Sequence, residues 1–512
     1  MTSHQANWLY DGLTEGFPGD RATPCVHLPS GETVSYGALE AAAGRYSASF
    51  IASGVRPGDR VAVQVDKSLG ALLAYLGAVR AGAVLLPMNT GYARGEVAYL
   101  LGDAEPALFV CDPSRVDDLA GVAKDVGAHV LTMDSAGEGD LAADAASRSD
   151  DAAPVPRAAD DLAAILYTSG TTGRPKGAML THDNLYSNTR TLVEAWHFTA
   201  DDVLIHALPV FHTHGLFVAT HCVLLTGSAM HFLPKFDAQT VMDLMPISTT
   251  MMGVPTFYTR LLAEDGLAEA AKGMRLFVSG SAPLLAETHQ AFEARTGHAI
   301  LERYGMTETT MITSNPYEGP RRPGTVGRPL EGVEVRITDP DAKAGSIKLC
   351  AANTVGMVEV RGPNVFKGYW RMPEKTAEEK RPDGYFITGD LGMMDDDGVL
   401  HIVGRGKDLI ISGGFNIYPK EVETVIDALE GVEESAVIGV PHPDFGEGVV
   451  AVVVPQPGAT VTGAAVMDGI KGELARFKQP KHIAIVAELP RNTMGKVQKT
   501  VLRDTYSDVL AG

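Results

Sequence analysis

A chain of 512 residues is too long to fold around one hydrophobic core, so the sequence predicts at least two domains. With 45% hydrophobic and 21% charged residues it has the composition of an ordinary water-soluble globular protein. Its formal charge of −20 argues against a nucleic-acid or anionic-membrane partner, while leaving small anionic substrates open, because a local basic site fits inside an acidic protein.

The opening stretch MTSHQANWLYDG shows no basic region followed by an apolar one, so no signal peptide is expected. The most apolar stretch, ALLAYLGAVRAGAVLLP, carries Arg80 and is shorter than a membrane span. Cys25, Cys111, Cys222 and Cys350 lie far apart without a CxxC pair, which fits a reducing compartment better than a disulfide framework or a zinc site. The expectation is a cytoplasmic protein.

From about residue 35 to 310, short β-rich apolar runs alternate with helical patterns. VAVQV (61–65), AVLLP (83–87), ALFVC (107–111), HVLTM (129–133), AAILYT (163–168), VLIHAL (203–208) and RLFVSG (275–280) read as buried strands. Stretches such as ALEAAAGRYSASFIASG read as the intervening helices. This alternation predicts an α/β region of doubly wound parallel sheets. The acidic, alanine-rich segment 135–154 has little periodicity and reads as a surface loop or linker. From 325 to 403 shorter, turn-punctuated strands (VEVRI, MVEVRGP, YFITGD, VLHIVG) predict a small antiparallel or β-barrel-like subdomain. Beyond it, a smaller α+β domain is expected, which places an N-terminal domain at 1–404 and a C-terminal domain at 405–512.

Directly after AAILYT comes TSGTTGRPKG (168–177), followed by the helix-capping candidate THDN (181–184). A loop so poor in apolar side chains has no core to fill. Gly170, Gly173 and Gly177 let backbone N–H groups turn inward, Thr168, Ser169, Thr171 and Thr172 add hydroxyls, and Lys176 adds a cation. Convergent donors with one positive charge suit phosphate oxygens. A solvated Ser/Thr/Gly turn is the alternative. The spacing is not that of the GxxxxGK[ST] phosphate loop, so kinase-like chemistry does not follow.

TSGTTGRPKG resembles the signature loop of the adenylate-forming superfamily of acyl-CoA synthetases, adenylation domains and luciferases. YGMTE (304–308), YFITGD (385–390), GRGKDLIISGGFNIYPKEVE (404–423) and PRNTMGKVQK (490–499) match further motifs of that family in the same order. The resemblance implies two steps: a carboxylate attacks the α-phosphate of ATP to give an acyl-adenylate and pyrophosphate, then a thiol such as that of CoA displaces AMP. It also implies roles by position. Thr168, Ser169, Gly170, Thr171, Thr172, Gly173 and Lys176 would wrap the β- and γ-phosphates. Thr307 and Glu308 would lie at the phosphates, with Mg²⁺ held at Glu308 and Thr168. Tyr304 would pack beside adenine, Asp390 would accept from the ribose hydroxyls, and Arg405 would contact the ribose or a phosphate. Lys496 would bring its ammonium to the carboxylate and α-phosphate in the adenylation transition state. Lys407 would be the hinge of a mobile C-terminal domain, and Gly413 and Gly414 would line the tunnel for CoA.

The acid to be activated is read from Arg303. Relatives that take aromatic or long-chain acids commonly have a small residue before the tyrosine of YGMTE, whereas this chain has LERYGMTE. An arginine in an apolar acyl pocket is costly unless it meets an anion, which a second carboxylate on the substrate would supply. Pairing of Arg303 with Glu302 or another acid is the alternative. Met306 would shorten the pocket, and Ser281 in VSGSAPL and His212 in PVFHTHG would border it. His206, His212 and His214 lack a third partner at metal-ligand spacing, so no metal is assigned to them. ERYGMTET, TSNPY and GPNVFKGYWRMPEKT further resemble the malonate–CoA ligase branch of the superfamily. The rival readings are a CoA ligase for another short acid (methylmalonate, succinate) or an aryl acid, a free-standing adenylation enzyme that loads a carrier protein, and a non-catalytic nucleotide-binding protein. The segment AKAGSIKLCAANTVGMVEV (342–360) departs from the polar turn usual in relatives.

Overall fold

A computed structural model describes residues 6–168, 175–340, 347–412, 415–443, 445–471, 473–474, 476–492 and 495–510. By Cα proximity the chain forms two compact units, one of Met1–Glu334 with Arg361–Phe386, the other of Val335–Val360 with Ile387–Gly512.

Among the described residues, the first unit contains two large sheets. In the nine-stranded sheet the strands Leu301–Met306, Leu276–Ser279, Thr250–Gly253, Val203–His206, Ala229–Phe232 and Pro24–His27 run parallel as neighbours, with antiparallel strands at both edges. In the seven-stranded sheet Leu162–Thr168, Val84–Pro87, Arg60–Gln64, Leu108–Cys111 and His129–Thr132 are parallel, and Lys176–Thr181 and Gly368–Tyr369 extend it antiparallel. Each apolar run expected as a strand forms one, because Val, Leu and Ile on both faces of a parallel strand are covered by the helices that connect it. Phe109 and Ile165 are buried against Leu100, Leu101 and Leu119 in this way.

An aromatic cluster packs on the nine-stranded sheet. Phe292 packs edge-on against Tyr258 and Phe277, with ring centroids 5.3 and 5.0 Å apart. All three rings are fully buried, and the Tyr258 hydroxyl donates to the Val278 carbonyl at 2.6 Å. Replacing Phe292 by alanine is expected to cost about 3–5 kcal/mol, because the tight aromatic packing leaves little room for collapse. The measurement is denaturant unfolding followed by tryptophan fluorescence, and an unchanged midpoint would contradict the packing argument.

One segment differs from its reading. Within 135–154, expected as a loop, Asp140–Ala146 forms a helix. Leu141 and Ala145, four apart, are buried against the helix Tyr36–Ala52. Four alanines and one leucine among these seven residues leave no clear helical period to read, and tertiary burial picks out Leu141 and Ala145.

In the second unit, the strands Glu334–Thr338, Gly356–Arg361, Phe386–Met394 and Leu400–Arg405 form a four-stranded sheet. A separate five-stranded sheet is built on the long antiparallel pair Val432–His442 and Gly446–Pro455. Its core buries Val437, Val449 and Ala451 under Val422 and Ile426 of the helix Pro419–Asp427. The strand Leu400–Arg405 lies near that helix. Residues 335–360 and 387–404 group with the carboxy-terminal residues.

Candidate active site

Thr168 ends a parallel strand of the seven-stranded sheet, and Lys176 begins the antiparallel strand that returns. Ser169, Gly170, Thr171, Thr172 and Gly173 lie outside the described residues. The chain leaves this hairpin through the predicted cap: Thr181 and Asn184 exchange side-chain and backbone hydrogen bonds of 2.9 and 3.1 Å, starting the helix His182–Ala195.

The YGMTE segment brings the other sheet to the same place. Tyr304 and Met306 lie in the strand Leu301–Met306, and Thr307 and Glu308 lie in the turn that follows it. The Thr168 hydroxyl approaches Glu308 Oε1 at 3.4 Å. Tyr369, on the last strand of the seven-stranded sheet, places its hydroxyl 3.1 Å from Glu308 Oε1 and 2.6 Å from Glu379 Oε2. With only one proton to donate, the hydroxyl gives it to the nearer Glu379. Lys176 Nζ pairs with Glu379 Oε1 at 3.0 Å and sits 4.1 Å over the Tyr369 ring. Burial would raise the Glu379 carboxyl, but the hydrogen bonds from Tyr369 and Lys176 outweigh it and hold the group below its usual range. A loop cation, a hydroxyl and a buried carboxylate therefore converge from two sheets. Thr168, Lys176 and Glu308 are legible in the sequence; Tyr369 and Glu379 are not, because their side chains join the cluster only through the fold.

Glu308 and Thr168 present hard oxygen donors of the kind magnesium prefers. Among the described residues no group of three or more His, Cys, Asp or Glu forms a metal cage. A cation shared with nucleotide phosphates needs only one or two protein carboxylates, so the donor set fits.

Arg303 lies in the same strand, three residues before Met306. Its guanidinium is 4% exposed and lies flat on Gly280, where an added Cβ would fall 2.3 Å from Cζ. Nε and Nη2 are buried without a hydrogen-bond partner. The pairing with Glu302 is not the arrangement found: Glu302 Oε1 accepts from the Leu284 N–H at 3.3 Å, and successive residues of a strand face opposite ways. Burial pulls the Arg303 guanidinium down to about 9, opposed by Tyr258, which leaves it charged at neutral pH. Such a cation is costly without an anion.

Ser281 holds a left-handed backbone, φ +72°, and its hydroxyl lies 3.2 Å from His214 Nδ1. Burial, then the charge of Arg303, push the His214 imidazole well below its usual range, so it is neutral. His212, assigned to the pocket border from sequence, lies beside it: the His214 N–H approaches His212 Nδ1 at 3.4 Å. The ring that meets the Ser281 hydroxyl is that of His214, for which no role is legible in the sequence. The spacing H-x-H gives no sign of which ring turns inward.

In the second unit Asp390 and Arg405 face each other across paired strands, joined at 2.7 Å. Lys407 lies in a single 3₁₀ turn, Gly406–Asp408. Gly413 and Gly414 lie outside the described residues. Lys496 is exposed in a tight turn, where Gly495 has φ +75° and the Lys496 N–H and carbonyl bond Asn492 at 3.0 and 2.9 Å. Nearby Lys499 is engaged with Glu423 at 2.6 Å.

Residues 14–370 match the model of the AMP-binding enzyme family, and 421–496 match that of the AMP-binding enzyme C-terminal domain. The chain belongs to the AMP-binding enzyme family. ATP-bound MatB from Rhodopseudomonas palustris superposes with a TM-score of 0.96 at 57% identity, over 99% of this chain and 100% of that one. The malonate–CoA ligase of Arabidopsis thaliana is 34% identical, covering 93% of this chain and 85% of its own length. The sulfoacetate–CoA ligase of Cupriavidus necator is also 34% identical, over 92% of each. This AMP-binding enzyme thus has the adenylate-forming fold expected of it, with ATP and CoA as the co-substrates of its class. Among the described residues no helix is long and apolar enough to cross a membrane.

Proposed function

We propose that this AMP-binding enzyme joins malonate to CoA, forming malonyl-CoA, AMP and pyrophosphate through a malonyl-adenylate. One observation carries the choice of acid: a buried arginine with two unpartnered N–H groups, in a family whose members here include a malonate ligase and a sulfoacetate ligase. Both of those acids carry a second anion one methylene from the reacting carboxylate, the group that Arg303 would hold.

In the first step a carboxylate oxygen bonds to the α-phosphorus and pyrophosphate leaves. Thr168 and Lys176, with Ser169, Gly170, Thr171, Thr172 and Gly173, hold the β- and γ-phosphates, Tyr304 and Thr307 lie at the nucleotide, and Asp390 and Arg405 take the ribose. Lys496 neutralises charge gathering on the reacting oxygens. Mg²⁺ at Glu308 and Thr168 would supply neutralisation of the phosphate oxygens. In the second step the CoA sulfur bonds to the acyl carbon and AMP leaves. We assign CoA's path to Gly413 and Gly414 and the movement of a C-terminal domain, 405–512, to a hinge at Lys407. Arg303, Ser281, His212 and Met306 shape the acyl pocket. The widely separated free thiols support placement in a reducing compartment, the cytoplasm.

Pyrophosphate release with ATP, magnesium and CoA, measured across malonate, methylmalonate, succinate, sulfoacetate, acetate, octanoate and 4-coumarate, tests the proposal. Malonate is expected to lead by at least about tenfold in kcat/KM, as one buried charged hydrogen bond would give. A preference for acetate, octanoate or 4-coumarate would sink it.

A further inference from the structure

Lys67 is a buried lysine for which the reaction has given no use. It follows the strand Arg60–Gln64 and precedes Ser68, the N-cap of the helix Leu69–Arg80. It is 8% exposed, and among the described residues no carboxylate pairs with it. Burial alone drives its amine well below the usual lysine range. Keeping a lysine there costs stability, since an apolar side chain of equal volume would avoid the desolvation. Retention at such a cost points to what the amine touches.

It touches two residues of the other sheet, and hydrogen-bonds one of them. Nζ lies 2.7 Å from the His206 carbonyl oxygen and 2.8 Å from His206 Nδ1, and rests 4.2 Å over the Phe232 ring. A lysine amine donating to Nδ1 leaves the ring proton on Nε2. That nitrogen faces the Gly215 carbonyl at 2.9 Å and the Thr220 hydroxyl at 3.2 Å. With the other tautomer, Nε2 would turn a lone pair toward the carbonyl. Gly215 closes a turn so tight that an added Cβ would meet the Pro209 carbonyl at 2.0 Å. It lies within the π-helical turn His214–Ala219, directly after the imidazole that meets Ser281 beside Arg303.

We propose that Lys67 is a positioning residue for substrate selection: through His206 it fixes the turn of Gly215, and with it the placement of His214 at the acid-binding end of the pocket. This rests on the reading of Arg303 as the holder of a second acid group. The relay links the amine of one sheet, the imidazole that ends a strand of the other, the turn carbonyl, and the ring at the pocket wall.

Lys67→Met keeps the length and volume of the stem and removes the donors. Its KM for malonate is expected to rise about tenfold, the worth of one buried hydrogen bond, with KM for ATP unchanged. The ratio of kcat/KM for malonate over propionate should fall by the same factor. The melting transition should stay where it is or rise, since a desolvated amine has been removed. His206→Asn breaks the link to Gly215 independently and should give the same rise. In the double variant the two effects should not multiply, because both remove one relay.

An unchanged KM for malonate in either variant, an equal rise in KM for ATP, or multiplying effects would overturn the proposal. Absence of malonate-dependent turnover in the wild type is a different result: it would remove the reading of the substrate itself before any variant is compared.

Discussion

Replacing Arg303 by alanine is expected to lower kcat/KM for malonate by about 10²–10³-fold, the cost of removing one partner from a buried charge pair. The same change should leave kcat/KM for propionate unchanged or raise it, because the vacated space admits a methyl group. Arg303 is 4% exposed with Nε and Nη2 unpartnered, a cost that an anionic ligand would offset. Two N–H groups in a fixed fork match a carboxylate in the plane of both oxygens, so Arg303→Lys, a single point charge, should restore only part of the loss. Initial rates of pyrophosphate release for the two acids, in wild type and both variants, decide the matter. Equal losses for malonate and propionate would mean that Arg303 supports the strand rather than selecting the acid.

Lys496→Ala is expected to reduce malonate-dependent pyrophosphate release by about 10³-fold, the upper range for one charge-stabilising donor in a transition state. In the proposed sequence it serves the attack on phosphorus, whereas the second step breaks the bond between the acyl carbon and the phosphate oxygen. Transfer of the acyl group from preformed malonyl-adenylate to CoA should therefore survive the change nearly intact. The fold around the residue favours a clean result. The turn is held by Asn492 through backbone groups of Lys496, which alanine retains. Quench-flow measurement of each half-reaction separates the outcomes: if both fall together, the lysine is not specific to adenylation.

The two effects differ in how visible they were before any fold was known. Lys496 is recognised from its motif, PRNTMGKVQK, because a turn and a lysine at fixed spacing are local properties of the chain. Thr168, Lys176 and Glu308 are of the same kind. Arg303 is intermediate: its charge amid apolar neighbours raised the question, but two answers stayed open. The structure removes the pairing with Glu302, because the alternation of the strand sends Glu302 to the Leu284 N–H and Arg303 onto Gly280. His214 could not be told from His212 by sequence, since which imidazole turns inward depends on a π-helical turn that begins at His214 itself.

By itself the sequence determined the parallel strands, their helices, the capping box at Thr181, and the order of motifs that carries the family. Those features depend on residues within a few positions of one another, where steric preference, periodicity and hydrogen bonding act along the chain. Tertiary structure decided what lies far apart. It set Tyr369 and Glu379 against Lys176 and Glu308, turned Asp140–Ala146 into a helix by burying Leu141 and Ala145, and placed the Lys67 amine on His206, 139 residues away. The physical reason is common to all three. Burial removes water from a side chain, so its partner is chosen by whatever the packed sheets bring within hydrogen-bond reach, and distance along the chain does not enter.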